Sequence, residues 1–222
     1  MRIFASNSQI MESALSAAST ALKLEVEELA GDRGDERVFS AVAFTLTEGE
    51  ALLVTGPNGS GKSTLLRVLA GLLPKAQGVI RLGGGGEEWP DLAAACHYLG
   101  HRNGLKDAAS VEENLRFWQS YCGHEHLEPW EALEMVGLGD IGHLPFAYLS
   151  TGQRRRVAIA RMLVSYRPVW LLDEPTAGLD RASERQFSEL MKAHLEDGGM
   201  IVAATHLPLG LDGVRELRMG GA

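Results

Sequence analysis

The chain has 222 residues, and its composition and charge are those of a globular protein. Hydrophobic residues make up 45% of it and charged residues 23%, and no apolar run approaches the ~20 residues that a membrane-spanning helix needs. The formal net charge of -8 argues against a nucleic-acid partner, because such binding usually requires a surplus of Lys and Arg. Two cysteines are too few for a disulfide framework, and the length suits one domain.

The regular pattern begins at Leu22. Residues 1–21 are rich in Ala and Ser, and we expect a loosely ordered extension there, followed by a single domain over residues 22–222. From Leu22 onward, "LKLEVEEL" alternates between apolar and polar residues, a polar turn "GDRGDER" follows, and "VFSAVAFTL" alternates again. These segments predict an antiparallel hairpin.

A glycine-rich loop follows the next strand. The apolar run "ALLVTG" is typical of a buried parallel strand, and in "KSTLLRVLAGLLP" we expect a helix that Pro74 ends. Between them, a segment fits the pattern G-x-x-x-x-G-K-[ST] with Gly56, Pro57, Asn58, Gly59, Ser60, Gly61, Lys62, Ser63 and Thr64. Its N–H groups and the helix N-terminus form an anion site, where we expect Lys62 to reach nucleotide phosphates and Ser63 to bind Mg²⁺. The alternative is a glycine-rich turn with a surface lysine.

The middle of the chain changes from strands to helices. "QGVIRLGGGGEEWP" predicts a strand and a flexible loop, and "AACHYLG" predicts another strand. From about residue 102 to residue 166 we expect a helical lobe inserted between strands, because three segments have helical spacing: "SVEENLRFWQSY", "EPWEALEMVGL" and "TGQRRRVAIARMLVSY". In the last of these, we expect Arg154, Arg155 and Arg156 to form a solvated face.

One cluster in this region has the residue types of a metal site. "CGHEH" contains Cys122, His124 and His126, and a thiol with two imidazoles at this spacing is able to bind a metal. We favour a structural loop, because the surrounding residues are polar, the segment follows a helix, and no second ligand cluster accompanies it.

Two more apolar strands follow the helical region, and the first ends at a pair of acids. The strands are "VWLLDEP" and "MIVAATH", separated by the amphipathic segment "ERQFSELMKAHLEDGG". Asp173 and Glu174 therefore lie at the carboxyl end of a strand, where ligand sites of α/β sheets collect. We expect Asp173 to hold Mg²⁺ through its water shell and Glu174 to act as general base on the attacking water. The alternative is that the acids cap a helix.

These motifs, in this order, resemble the nucleotide-binding subunits of ABC transporters over about 190 residues. They are "GPNGSGKST", "LSTGQ", "LLDEP", "AGLD" and "TH", and Thr151 departs from the usual L-S-G-G-Q by replacing its first glycine. The resemblance implies the ABC ATPase form of the α/β P-loop NTPase fold, with a mostly parallel core sheet, an antiparallel β subdomain and an inserted helical lobe. It also implies ATP and Mg²⁺ as cofactors and ATP hydrolysis as the reaction.

The resemblance further implies residues that act across a dimer. Asp180 would reach across to the partner, and a set of signature residues would cap the γ-phosphate held by the partner's loop: Ser150, Thr151, Gly152 and Gln153. A helix N-terminus supports such a role, although the alternative is that "STGQ" merely caps its helix. His206 resembles the family's switch histidine, which holds the γ-phosphate or the attacking water in line.

Two further positions depart from the family pattern. His101 stands where the family carries a glutamine, at the hinge between core and helical lobe, and we expect it to join the catalytic set and to couple nucleotide state to the partner. Imidazole can make the same contact and, unlike an amide, gain a charge near neutral pH. The alternative is that His101 points to solvent.

The second departure concerns adenine, which the family usually stacks on an aromatic residue just before the second strand. In "GDRGDERVF" no aromatic residue precedes Phe39, so Arg33 or Arg37 is expected to stack on adenine instead.

Three segments are similar to the ATP-binding subunits of bacterial cytochrome c biogenesis (Ccm) systems: "DERVFSAVAFTL", "YLGHRNGLK" and "GGMIVAATHLPLGL". This resemblance implies a homodimer beneath a CcmB-like integral membrane protein, together with further Ccm components, as a peripheral protein on the cytoplasmic face of the bacterial inner membrane. Hydrolysis would serve haem export or the release of haem from its chaperone. The alternatives are an exporter subunit for another substrate, and a soluble ABC ATPase of translation or DNA repair.

Overall fold

The computed structural model describes residues 21–220, in which two sheets are surrounded by helices. The strands are β1 (Lys23–Arg33), β2 (Glu36–Thr47), β3 (Ala51–Thr55), β4 (Gln77–Gly83), β5 (Cys96–Leu99), β6 (Val169–Asp173), β7 (Met200–Ala204) and β8 (Arg215–Arg218). The helices are α1 (Lys62–Leu69), α2 (Leu92–Ala95), α3 (Val111–Cys122), α4 (Pro129–Met135), α5 (Thr151–Leu163) and α6 (Arg181–Glu196). The extension expected over residues 1–21 lies, except for its last residue, outside the described residues.

The smaller sheet is antiparallel, with strand order β2-β1-β4. In β1 and β2 the apolar side chains alternate onto one face, where Leu24 and Leu46 are opposite each other and both are fully buried. They pack against Leu65 and Leu66 of α1, in a cluster shared with β3, β6 and β7. The predicted hairpin is confirmed, and β4 adds a third strand to it.

The larger sheet has the order β5-β6-β7-β3-β8, and all its neighbouring strands are parallel. Its central strands are almost wholly buried, which explains why their sequences are continuous apolar runs. β3, β7 and β6 are adjacent, so the segments that follow them meet at one edge of the sheet. The predicted parallel core sheet is confirmed, and this edge carries the glycine-rich loop, His206 and the Asp173–Glu174 pair.

The helical lobe consists of α3, α4 and α5 and is inserted between β5 and β6, as predicted. Ser110 and Glu113 form a reciprocal capping box that starts α3. Leu115 and Leu133 are fully buried in a cluster that continues to Leu172 in the core sheet. None of the helices within residues 21–220 combines the length and apolar character needed to cross a membrane.

Two predicted boundaries are wrong. Helix α1 ends at Leu69, well before Pro74, because Gly71 takes a left-handed backbone (φ 70°) and the Leu72 N–H turns back to the Arg67 carbonyl at 2.8 Å. In "AACHYLG" the alanines belong to α2, because the Asp91 carboxylate accepts a hydrogen bond from the Ala94 N–H and caps a helical turn there. The strand begins only at Cys96.

Candidate functional site

The glycine-rich loop joins β3 to α1 in the conformation that its sequence predicts. Gly56 has φ 140°, and a side chain there would meet the Met219 carbonyl oxygen at 2.3 Å. Lys62 is only 8% exposed, and its ammonium donates to the carbonyl oxygens of Gly56 and Pro57 at 2.7 and 3.0 Å. The ammonium therefore lies over the loop itself, at the N-terminus of α1, where backbone N–H groups favour an anion. The surface-lysine alternative is wrong.

Ser63 and Asp173 meet although 110 residues separate them in sequence. The Ser63 hydroxyl donates to Asp173 Oδ1 at 2.8 Å, and the Tyr98 hydroxyl donates to Oδ2 at 3.2 Å. Arg67 Nε in turn donates to the Tyr98 oxygen at 3.3 Å. Burial raises the pKa of Tyr98, so its hydroxyl stays a donor at neutral pH. Hydroxyl and carboxylate oxygens are ligands that Mg²⁺ prefers, so the donor set fits the cation.

No motif in the sequence singled out Tyr98 or Arg67. Tyr98 is a polar ring inside the apolar run of β5, one strand away from Asp173. A polar side chain near the carboxyl end of a parallel strand was the available signal, because ligand sites collect at that edge.

Glu174 and His206 also lie at this edge of the sheet. Glu174 has a left-handed backbone (φ 44°), and its N–H donates to the Ala204 carbonyl at 2.8 Å. His206 Nε2 is 4.0 Å from Glu174 Oε1 and 3.2 Å from Asn58 Oδ1 of the glycine-rich loop. The predicted cluster of loop, acid and histidine therefore exists. The helix-cap alternative for the two acids is wrong, because Asp180 is the residue that caps α6.

His101 lines the same cleft as the acids. The cleft has a volume of about 940 Å³ and lies between the core and the helical lobe. Its lining includes Ser63, Asp173 and Glu174 on the core side and Arg155 on the lobe side. The His101 side chain is exposed, and its participation in catalysis stays a prediction.

The arginine run at the start of α5 is not the solvated face that we expected. Arg155 is only 9% exposed, and burial lowers its pKa to about 10. Its guanidinium donates to four backbone carbonyl oxygens, three of them in the turn Asp173–Pro175. Arg154 and Arg156 are partly exposed and donate to carbonyls within the helical lobe. Close packing of α5 against the β6 turn explains the difference.

The signature and Asp180 both cap helices within the chain. Ser150 accepts a hydrogen bond from the Gln153 N–H, and the Gln153 amide oxygen accepts one from the Ser150 N–H, so the helix-cap function of "STGQ" is confirmed. Asp180 accepts from the Ser183 N–H at 2.8 Å, and that hydrogen bond lowers the pKa of Asp180. The roles of Ser150, Gln153 and Asp180 towards a second subunit stay predictions. The same holds for Thr151 and Gly152.

The two arginines considered for adenine differ in their surroundings. Arg37 is paired with Asp32, whereas Arg33 Nη2 donates to the Thr64 hydroxyl at 3.3 Å, beside the glycine-rich loop. Phe39 is buried and packs against Gly61 of that loop. Of the two, Arg33 is therefore the better placed to stack on an adenine beside the glycine-rich loop.

The side chains of "CGHEH" are held by different neighbours. The His124 ring packs on Trp89 with ring centroids 4.5 Å apart, and its Nδ1 is 3.4 Å from Glu88 Oε1. The His126 ring lies near Tyr166 at 6.1 Å. Within residues 21–220, no group of three or more His, Cys, Asp or Glu side chains is arranged to hold a metal.

Solved structures match this chain over most of its length. A putative ABC transporter ATP-binding protein from Pyrococcus furiosus has a TM-score of 0.74 at 24% identity, covering 89% of this chain and 97% of that one. An ATP-binding subunit of an ABC transporter has a TM-score of 0.75 at 25% identity, covering 88% of this chain and 85% of that one. The predicted ABC ATPase fold is confirmed.

Relatives of known sequence are more similar to this chain than these solved structures are. The ABC transporter family matches residues 39–177. The cytochrome c biogenesis ATP-binding export protein CcmA of Chelativorans sp. is 69% identical over 199 residues, which are 90% of this chain and 98% of that protein. The protein of the same name from Mesorhizobium japonicum is 64% identical over 201 residues, 90% of this chain and 100% of that protein. The chain belongs to the ABC transporter family, in the group of CcmA ATP-binding export proteins.

Proposed function

We propose that this ABC ATPase drives haem export, or the release of haem from its chaperone, during cytochrome c biogenesis. As a member of its family, the chain binds and hydrolyses ATP and acts as a dimer with a membrane partner. The observation that carries the ATPase part of this proposal is the convergence of Lys62, Ser63–Asp173 and Glu174–His206 at one sheet edge. The biological role rests on the names of relatives that match 90% of the chain.

Each core residue has a role in the proposed hydrolysis. Lys62 and the N–H groups of the glycine-rich loop bind the phosphates, and Ser63 and Asp173 hold Mg²⁺. Bound Mg²⁺ supplies positive charge to the phosphate oxygens. Glu174 accepts the proton of the attacking water, and His206, between Asn58 and Glu174, orients that water or the γ-phosphate.

The remaining residues act from other parts of the assembly. His101 approaches the same cleft from the hinge and links the nucleotide to the membrane partner. In a homodimer, the partner subunit would complete the site. It would supply its copies of the signature residues Ser150, Thr151, Gly152 and Gln153, and its copy of Asp180. We propose one domain over residues 22–222, with residues 102–166 as its helical subdomain. The membrane partner is CcmB-like, and the chain lies peripherally on the cytoplasmic face of the inner membrane.

Dimer formation tests the assignment of Glu174. The Glu174→Gln variant keeps the shape of the side chain but loses the base, so it should form a stable ATP-bound dimer with little turnover. Light scattering after size-exclusion chromatography, with and without Mg²⁺ and ATP, measures this. A variant that hydrolyses ATP normally would overturn the role of Glu174.

Complementation tests the biological role. In a strain that lacks this gene, the wild-type chain should restore covalently haem-bound c-type cytochromes, visible by haem staining of periplasmic and membrane fractions. Lys62→Ala should not restore them, whereas Lys192→Ala should, because Lys192 is a partly exposed residue of α6 that pairs only with Glu189 among the described residues. Normal cytochromes c in the deletion strain would contradict the proposed role while leaving the ATPase assignment intact.

A further inference from the structure

The Arg155 guanidinium forms four hydrogen bonds, and all of them end on backbone carbonyl oxygens. Nε donates to Pro175 at 3.0 Å, and Nη1 donates to Gly100 at 2.7 Å. Nη2 donates to Asp173 at 3.2 Å and to Glu174 at 2.7 Å. The flat guanidinium presents five N–H donors in fixed directions, so it can hold several carbonyls at once, which a lysine ammonium does with far less directional control.

These carbonyls belong to two functional segments of the chain. Three lie at the end of β6 and in the turn that follows it, where the Asp173–Glu174 pair is found, and the fourth is that of Gly100, immediately before His101. Arg155 itself lies in the first turns of α5, the helix that begins with the signature. One buried side chain therefore connects the helical lobe to the turn that carries the acids and to the hinge.

The backbone of Glu174 requires support from its surroundings. Its φ of 44° lies in the left-handed region, which residues with a side chain rarely adopt. The Ala204 carbonyl holds the Glu174 N–H at 2.8 Å, and Arg155 holds the Glu174 carbonyl at 2.7 Å. Both hydrogen bonds maintain the conformation in which the carboxylate lies 4.0 Å from His206.

We propose that Arg155 is a positioning residue, which fixes the Glu174 backbone relative to the signature helix and so makes the alignment of the carboxylate depend on the position of the helical lobe. The proposal deepens, and rests on, the role of Glu174 as general base. In this role Arg155 acts through the backbone and not on water or phosphate, because four of its five N–H donors are bonded to backbone oxygens.

Substitution of Arg155 should separate catalysis from binding. In the full chain purified with its membrane subunit, Arg155→Met should lower the single-turnover rate of ATP hydrolysis by about 100-fold, as expected from a displacement of about 1 Å. ATP affinity should change by less than about threefold, because the glycine-rich loop is untouched. Arg155→Lys should be almost as slow as Arg155→Met, because one ammonium cannot hold both segments.

Arg156→Met is the matched control. Arg156 lies on the same helix and also donates to backbone carbonyls, those of Val136 and Gly137, but these belong to the helical lobe alone. This variant should hydrolyse ATP within about threefold of the wild-type rate. Equal losses in Arg155→Met and Arg156→Met would overturn the proposal.

Chemical rescue separates positioning from a loss of folding. Guanidinium ion at low millimolar concentration should raise the rate of Arg155→Ala several-fold by filling the space left by the side chain, and it should not accelerate Arg155→Lys. An effect on folding alone predicts no rescue, because guanidinium weakens folded proteins. Unchanged hydrolysis in Arg155→Met, or a slow Arg155→Ala without rescue, would overturn the proposal. Normal hydrolysis by Glu174→Gln would instead overturn the role of Glu174.

Discussion

Two buried histidines should make this protein sensitive to mild acid. His194 on α6 is 8% exposed and stacks on Trp170, with ring centroids 4.0 Å apart and planes at 10°. Burial lowers its pKa from 6.5 to about 4. His97 in β5 bonds the Ser165 carbonyl through Nε2 at 2.8 Å, and burial lowers its pKa to about 3.

The sign and size of the effect follow from proton linkage. Both folded-state pKa values lie below the unfolded value, so the unfolded chain binds more protons as the pH falls from about 6.5 towards 4. The contribution of the two neutral imidazoles to the free energy of unfolding is therefore fully present well above pH 6.5, and it is lost progressively as the pH falls below that value. At 1.36 kcal/mol per pKa unit, lowering the pH from 7 to 5 should cost about 2 kcal/mol for each imidazole, or about 4 kcal/mol for both.

His194→Phe tests this reasoning with little change of shape. Phenylalanine keeps a flat ring against Trp170 but cannot bind a proton, so its loss of stability between pH 7 and pH 5 should be about 2 kcal/mol smaller than that of the wild type. Urea unfolding followed by circular dichroism at both pH values measures the difference. His143→Gln is the control, because His143 is exposed in the folded chain. A His194→Phe variant with the wild-type pH dependence would refute the argument.

Further predictions concern the site, the helical lobe and the core. Tyr98→Phe removes the second hydrogen bond to Asp173 and should weaken Mg²⁺-dependent binding of a fluorescent ATP analogue about tenfold in Mg²⁺ concentration; an unchanged Mg²⁺ titration would contradict this. Ser110→Ala removes the capping box of α3 and should lower the free energy of unfolding by about 1 kcal/mol, measured in urea. Phe187→Ala empties a fully buried core position and should cost about 3–5 kcal/mol in the same assay.

The sequence allowed the main strands, and the polar residues at their carboxyl ends, to be predicted for a clear physical reason. β3, β6 and β7 are continuous apolar runs, each followed by polar residues, and parallel strands bring such ends to one edge. The meeting of the loop with Asp173 and of Glu174 with His206 follows from that rule.

Other features depend on contacts that a local pattern does not contain. Arg155 looks like part of a charged helix face, but its partners are backbone carbonyls 18 to 55 residues away in sequence. The role of Tyr98 likewise depends on β5 lying beside β6. Helix α1 ends early because Gly71 adopts a left-handed backbone. This glycine, and not the later Pro74, therefore stops the helix.

The most direct measurement compares ATP binding and phosphate release in the wild type and in Glu174→Gln, both purified with the membrane subunit. The wild type should release phosphate in a Mg²⁺-dependent reaction. Glu174→Gln should bind ATP with similar affinity and release phosphate at least about 100-fold more slowly, since a general base contributes about 10²–10⁴-fold. A wild type that binds no ATP, or a variant that turns over at the wild-type rate, would contradict the assignment of the site.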